Sequence, residues 1–311
     1  MIRYVCRNDL KMAQTYAKIV LANITSQKDL RFKENLLAQL AEAENKGLEI
    51  PMNLKGILES YNTSKFPHER FLLRESEKEA VDRIIKTYKA AEKLMELEIP
   101  FVPALMLYGE SGCGKTMLAQ YIAYKVGLPF LYVRFSNLIR SYLGETQGNI
   151  ARVFQFVRQI PCVLCFDEID AIGMSRGKGN DVGEMSRVVI ALMQELDDIP
   201  NNIIVIGTTN RFDILDKALI RRFPIQHEVK RLSGFDTWSL AKQFLSFANC
   251  YEKNDPQVRK WFGSTFPSYE KSKSDPGTVK NCTYPASTII KECADYIVDK
   301  IMSEIQEEST E

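Results

Sequence analysis

The run Gly109-Glu110-Ser111-Gly112-Cys113-Gly114-Lys115-Thr116 spells G-x-x-x-x-G-K-[ST] directly after the apolar stretch Ala104-Leu105-Met106-Leu107-Tyr108. Glycines in such a loop let consecutive backbone N–H groups turn inward around phosphate oxygens. A helix opening at Met117 and running to position 126 would aim the positive end of its dipole at the same charge. The segment from Gly109 to Met117 is therefore the candidate nucleotide-phosphate cradle. Lys115 would reach the terminal phosphates, and Thr116 offers a hydroxyl to Mg²⁺, a hard cation that prefers oxygen and keeps several of its waters.

About fifty residues downstream, Cys162-Val163-Leu164-Cys165-Phe166 reads as a buried parallel strand ending in Asp167-Glu168. The carboxyl ends of parallel strands are where an open α/β sheet receives ligands. Asp167 is thus the candidate metal partner, together with Thr116, and Glu168 the candidate base that polarises an attacking water. A strand that merely ends in acidic loop residues would be the better account if this motif stood alone. A third strand, Ile203-Ile204-Val205-Ile206-Gly207, ends in Thr208-Thr209-Asn210, where the Asn210 amide could orient that water without adding charge. Asparagine at a strand end is also an ordinary turn residue. Arg221-Arg222-Phe223 follows; a paired arginine is usually a solvated or salt-bridged surface feature, and in a ring it can reach a neighbouring subunit's phosphoryl group.

These four motifs, in this order and spacing, resemble the AAA+ ATPases, and the residues between them are similar to the classical AAA branch. Ser141-Tyr142-Leu143-Gly144-Glu145-Thr146 resembles that branch's first pore loop, PCVLCFDEIDAI over 161–172 its Walker B segment, and TTNRFDILDKAL over 208–219 its sensor 1 segment. The compact Arg221-Arg222-Phe223 is similar to the arginine-finger pair of the katanin and spastin group. The resemblance is strong from Leu105 to Phe223 and fades outside. It implies an ATP-hydrolysing homo-oligomeric ring, a hexamer, using ATP and Mg²⁺. Lys115, Glu168 and Asn210 would serve the catalytic site of one subunit, and Arg221 and Arg222 would complete it from the next. Tyr142 and Leu143 would grip a threaded target, and protein is the target the aromatic favours. A tyrosine packed in the core is the plain alternative for Tyr142. A nucleic-acid motor or helicase loader stays open as a rival, as does an assembly switch with little turnover. Glu168 argues against the switch.

The sequence departs from the branch in places. Leu196-Asp197-Asp198-Ile199 stands where Leu-Asp-Gly-Phe is usual, Lys217 replaces a common proline, and no arginine occurs at the turn Tyr284-Pro285-Ala286-Ser287-Thr288. No sensor 2 arginine is therefore assigned.

Composition is that of globular material: 311 residues, 45% apolar and 26% charged, with 41 basic against 40 acidic side chains. That balance shows no electrostatic commitment to nucleic acid or anionic lipid. No apolar run approaches the roughly 20 residues of a membrane span, and the first residues lack the apolar core of a secretory signal. Seven scattered cysteines fit a reducing compartment, so the expected location is cytoplasmic. Cys162 and Cys165 form C-x-x-C, but residues three apart on a strand face opposite ways and no second pair is present, so buried thiols are the reading.

Strands alternating with helices predict an α/β P-loop NTPase fold: a doubly wound parallel sheet with a small C-terminal helical lid and a helical N-terminal extension. Residues 1–70 would be the extension and a linker, 71–232 the nucleotide-binding domain, and 233–311 the lid with an acidic tail. The extension rests on apolar residues at three- and four-residue steps over 9–45, and the linker on the glycines and prolines between 46 and 67. Periodic helices are expected over 75–98, 148–158, 237–250 and 285–305, with a polar, proline-bearing stretch between the last two. The glycine- and charge-rich 171–183 falls where the family has a second pore loop; a solvated loop is an equal alternative.

Overall fold

A computed structural model describes residues 48–99, 101–135, 138, 146–171, 181–251, 255–267 and 283–308. The expected N-terminal helices, Tyr142, Leu143 and residues 172–180 of the expected second pore loop lie outside these residues.

Apolar runs without alternation belong to strands covered on both faces, and four of them make the centre of the sheet: β2 (Ala104–Tyr108), β3 (Phe130–Arg134), β4 (Cys162–Asp167) and β5 (Ile203–Thr209), joined by the short, alternating β6 (Ile225–Glu228). With β1 (Leu58–Tyr61) the spatial order is β1-β3-β4-β5-β2-β6. The five strands run parallel, while β1 pairs antiparallel with β3, Leu58 opposite Val133 and Tyr61 opposite Phe130. The expected doubly wound parallel sheet is therefore present, with the antiparallel β1 added at its edge. β1 lies where the sequence predicts linker. Its flanking Gly56 and Asn62 read as loop, and only Leu58 of its four residues is buried, so nothing in its pattern announces a strand.

The pleat divides the core in two. Met106, Val133, Cys162, Leu164, Phe166 and Val205 face one apolar cluster, and Leu105, Leu107, Tyr132, Val163, Cys165 and Ile206 the other. Cys162 and Cys165 thus fall on opposite faces, and burial pushes both thiols up from their ordinary value, Cys162 to about 12. Among the described residues all five cysteines are free and buried.

Helices cover both faces. α1 (Glu75–Glu96) buries Val81 and Ile84 against the Leu105 face, joined by α2 (Lys115–Val126) through Leu118 and Ile122. α3 (Thr146–Val157) and α4 (Asp181–Asp197) cover the other face through Ile150, Val153, Phe154, Val188, Leu192 and Leu196. α5 (Lys217–Arg221) is a single capped turn, Asp216 Oδ1 accepting from the Ala218 N–H at 2.7 Å.

A third cluster joins α6 (Gly234–Phe247), α7 (Pro256–Thr265) and α8 (Ala286–Glu308) around Leu240, Leu245, Val258, Phe262, Phe266, Ile289 and Cys293. α7 occupies the stretch expected to be irregular. Asp255 starts it, accepting from the Gln257 and Val258 N–H groups at 2.8 and 3.3 Å, with Pro256 in the first turn where its missing N–H is harmless. This helical unit is tied back by a Leu232–Tyr284 bridge and by the Ser287 N–H donating to the Gly112 carbonyl at 3.1 Å.

Candidate functional site

The strand order places the carboxyl ends of β2, β5 and β4 side by side. Tyr108 lies opposite Thr209, Leu107 opposite Thr208, and Phe166 opposite Gly207. The three sequence motifs that end these strands are thereby forced into one place.

Between β2 and α2 the glycine loop turns back over the helix start. Gly109 has φ 140°, and a Cβ there would strike the Val229 carbonyl oxygen. Gly112 has φ 77°, and a Cβ there would strike the Ser287 hydroxyl. Only glycine meets both demands at once. Lys115 opens α2 with 7% of its surface exposed. Its ammonium donates to the Gly109 and Glu110 carbonyls at 2.9 and 2.8 Å and to Asn210 Oδ1 at 2.7 Å. Burial lowers its pKa, and the Cys113, Asp167 and Asp170 side chains oppose that shift. A buried ammonium needs such partners, and all three are oxygens that phosphate could replace.

Asp167 is fixed at both oxygens. Oδ1 accepts from the Thr116 hydroxyl at 3.2 Å and from the Thr208 hydroxyl, and Oδ2 accepts from the Tyr132 hydroxyl at 2.6 Å. Burial, and then the Asp167 carboxylate, raise the Tyr132 phenol above its ordinary value, so it is a protonated donor. Glu168 is exposed at the rim with φ 55°, a left-handed backbone that costs a non-glycine residue about 1–3 kcal/mol. Its N–H points to the Thr208 hydroxyl at 3.4 Å, and the next N–H, of Ile169, donates to the Thr208 carbonyl at 3.0 Å. Asp170, 6% exposed, ties the same two loops together by accepting from the Thr209 hydroxyl at 2.8 Å and the Asn210 N–H at 3.4 Å.

The motif residues meet at one cavity of about 340 Å³, in the range of small-molecule sites. Ser111 through Met117 line it with Asp167, Glu168, Thr208 and Asn210. The rest of its wall includes Arg70, Phe71, Leu72, Leu240, Ala286 and Ile290, which carry no phosphate-site motif. Arg231 reaches over the glycine loop to the Glu110 carboxylate at its rim, with Nε at 2.7 Å. Thr116 and Asp167 present hard oxygens that suit Mg²⁺. Among the described residues no three His, Cys, Asp or Glu side chains gather as a metal cage, so phosphate oxygens and water would complete the shell.

Arg221 and Arg222 do not line this cavity. Phe223 is fully buried and anchors the end of α5, leaving Arg221 exposed. The Arg222 guanidinium is engaged within the chain by Asp197, through Nε at 3.1 Å and Nη2 at 2.9 Å, and by the Ala218 carbonyl at 3.0 Å.

Sequence reasoning missed Tyr132, Thr208, Asp170 and the apolar wall. A tyrosine or threonine in a strand reads as packing, and Asp170 reads as part of the same acidic run as Asp167. Only their places across neighbouring strands reveal the contacts.

The sequence model of the ATPase family associated with various cellular activities (AAA) matches residues 105–231, which span β2 to the residues just after β6. The chain is 37% identical over 140 residues to an uncharacterized AAA family ATPase, y4kL, of Sinorhizobium fredii, covering 45% of this chain and 42% of that protein. It is 46% identical over 121 residues to peroxisomal ATPase PEX6 of Dictyostelium discoideum, 38% of this chain and 10% of that protein. Against PEX6 of Saccharomyces cerevisiae the identity is 43% over 122 residues, 38% of this chain and 12% of the relative. The chain thus matches less than half the length of each. The likeness to the katanin and spastin group continues to rest on Arg221-Arg222-Phe223 alone. Residues 105–231 thus match an AAA domain, and it is this stretch that carries the likeness to the AAA ATPases.

Proposed function

We propose that the chain binds Mg·ATP in the cavity above β2, β4 and β5, hydrolyses it, and uses turnover within a homo-oligomeric ring, a hexamer, to remodel or thread a protein target. The observation that supports this most is the meeting of Lys115 with Asn210 and of Thr116 with Asp167, which joins three sequence-distant motifs at one point.

In this reading the glycine-loop N–H groups and Lys115 hold the phosphates, and Thr116 and Asp167 hold the cation. Mg²⁺ supplies neutralisation of charge on the phosphate oxygens. Glu168 takes up the attacking water's proton, and Asn210 orients that water from the adjacent strand end. Arg221 acts on the neighbouring subunit's nucleotide. Arg222 joins it after leaving Asp197, or holds the α5 turn in place. Tyr142 and Leu143 grip the target. Residues 71–232, with β1 added at the edge of their sheet, form the motor, and 233–311 the lid. The buried free thiols suit a reducing, cytoplasmic setting. Among the described residues no helix is long and apolar enough to cross a membrane.

The deciding experiment is the rate of phosphate release from ATP with Mg²⁺, alone and with unfolded protein, single-stranded DNA or duplex DNA. Stimulation by unfolded protein is the expected result. Stimulation by DNA alone would replace the protein target with nucleic acid, and no release under any condition would leave a binding switch.

A further inference from the structure

β3 lies beside β4 with Tyr132 opposite Cys165, two positions short of Asp167, and Arg134 opposite Asp167 itself. From there the Tyr132 side chain runs along the sheet face and delivers its hydroxyl to Asp167 Oδ2 at 2.6 Å. The ring is 6% exposed. It packs edge-on against Tyr61 of β1, with centroids 6.0 Å apart at 85°, and tilted against Phe130 at 6.4 Å. A phenylalanine would satisfy all of that packing, so the hydroxyl has a separate use.

A carboxylate's terminal torsion is broad and has no strongly preferred setting of its own. Thr116 and Thr208 both donate to Oδ1, Thr116 at a long 3.2 Å, so on that side alone they oppose rotation of the carboxylate about Cβ–Cγ. The Tyr132 hydroxyl on Oδ2 opposes the same rotation from the other side, at the shorter 2.6 Å. We propose that Tyr132 is a positioning residue for the cation of the nucleotide site, setting the plane of the Asp167 carboxylate so that Oδ1 stays beside the Thr116 hydroxyl. This rests on the reading of Thr116 and Asp167 as the Mg²⁺ partners. Removing a group that orients a metal's partners in this way typically costs about tenfold or more in metal affinity.

The test compares the full-length protein with Tyr132→Phe, which deletes one oxygen. ADP affinity is measured by calorimetry in EDTA and across a MgCl₂ series, and thermal unfolding is followed in EDTA. The expected result is equal ADP affinity in EDTA, an unfolding temperature there lowered by no more than the loss of one hydrogen bond, and a Mg²⁺ concentration for half of the affinity gain raised about tenfold in the variant. An unchanged Mg²⁺ midpoint, with or without a lowered unfolding temperature, overturns the inference and makes Tyr132 a packing residue. A parent protein whose ADP affinity does not respond to Mg²⁺ overturns the proposed metal site, and this inference with it.

Discussion

Asp197 holds Arg222 with both carboxylate oxygens, at 3.1 and 2.9 Å, while the adjacent Arg221 is exposed and has no side-chain partner among the described residues. The two arginines look equivalent in sequence. Their surroundings are not, because one turn of helix α5 directs one guanidinium back to α4 and leaves the other in solvent.

The first prediction separates them. Arg221→Ala should stop ATP turnover in homogeneous rings without loss of stability, and turnover should partly return on mixing with Lys115→Ala chains. Mixed rings contain interfaces where an intact glycine loop meets an intact arginine. Arg222→Ala should lower unfolding stability by no more than about 1 kcal/mol, since its ion pair is partly solvent-exposed. Phosphate release by subunit mixtures and urea unfolding of each variant check both halves. If no mixture regains activity although subunits exchange, Arg221 does not act across an interface.

Binding and hydrolysis should also come apart. Lys115 donates to three oxygens inside the cavity, whereas Glu168 sits exposed at its rim. Lys115→Ala is expected to abolish nucleotide binding. Glu168→Gln should bind a fluorescent ATP analogue like the parent yet hydrolyse ATP at least about a hundredfold more slowly, the usual scale for loss of a positioned base. Unimpaired turnover of Glu168→Gln would remove Glu168 from the role of base.

The glycine loop, Asp167-Glu168 and Asn210 were legible in sequence because phosphate chemistry restricts both residue type and spacing, and the strand before each motif gives its position in the sheet. The helix over 75–98 was legible from its apolar period and is observed as Glu75–Glu96. β1 was not, since an edge strand with one buried residue leaves no pattern and takes its structure from pairing with β3. α7 was obscured by polar residues, although Asp255-Pro256 is a helix-start signal and Val258 and Phe262 keep the four-residue step. The Tyr132 contact with Asp167 spans 35 positions and that of Arg222 with Asp197 spans 25. Such contacts follow from strand order and helix packing, which no local window contains.

Tyr142 belongs to the expected pore loop, outside the described residues, and its prediction rests on the resemblance of Ser141 to Thr146. Tyr142→Ala should leave basal ATP hydrolysis within about threefold of the parent and remove stimulation by unfolded protein, while Tyr142→Phe retains it because the apolar ring supplies the grip. Phosphate release with and without the target reads both. A fall in stability of roughly 3–5 kcal/mol in Tyr142→Ala would mark a buried aromatic instead.

The last prediction concerns pH. His227 on β6 is half-buried, and its Nε2 is enclosed with no hydrogen-bond partner among the described residues. Burial lowers its pKa below the ordinary 6.5. Glu77 and Glu228 oppose the shift, while Arg74 and Lys230 add to it. The unfolded chain therefore binds this proton more readily than the folded one, so stability should be undiminished by this group above about pH 6.5 and decline as pH falls below it. The only other histidine, His68, is exposed. Urea midpoints measured between pH 8 and 5 should fall more steeply for the parent than for His227→Gln below pH 6.5, with parallel curves above pH 7. Carboxylates contribute equally to both proteins and cancel in the comparison. Curves that stay parallel through pH 5 would show that the enclosed imidazole does not resist protonation.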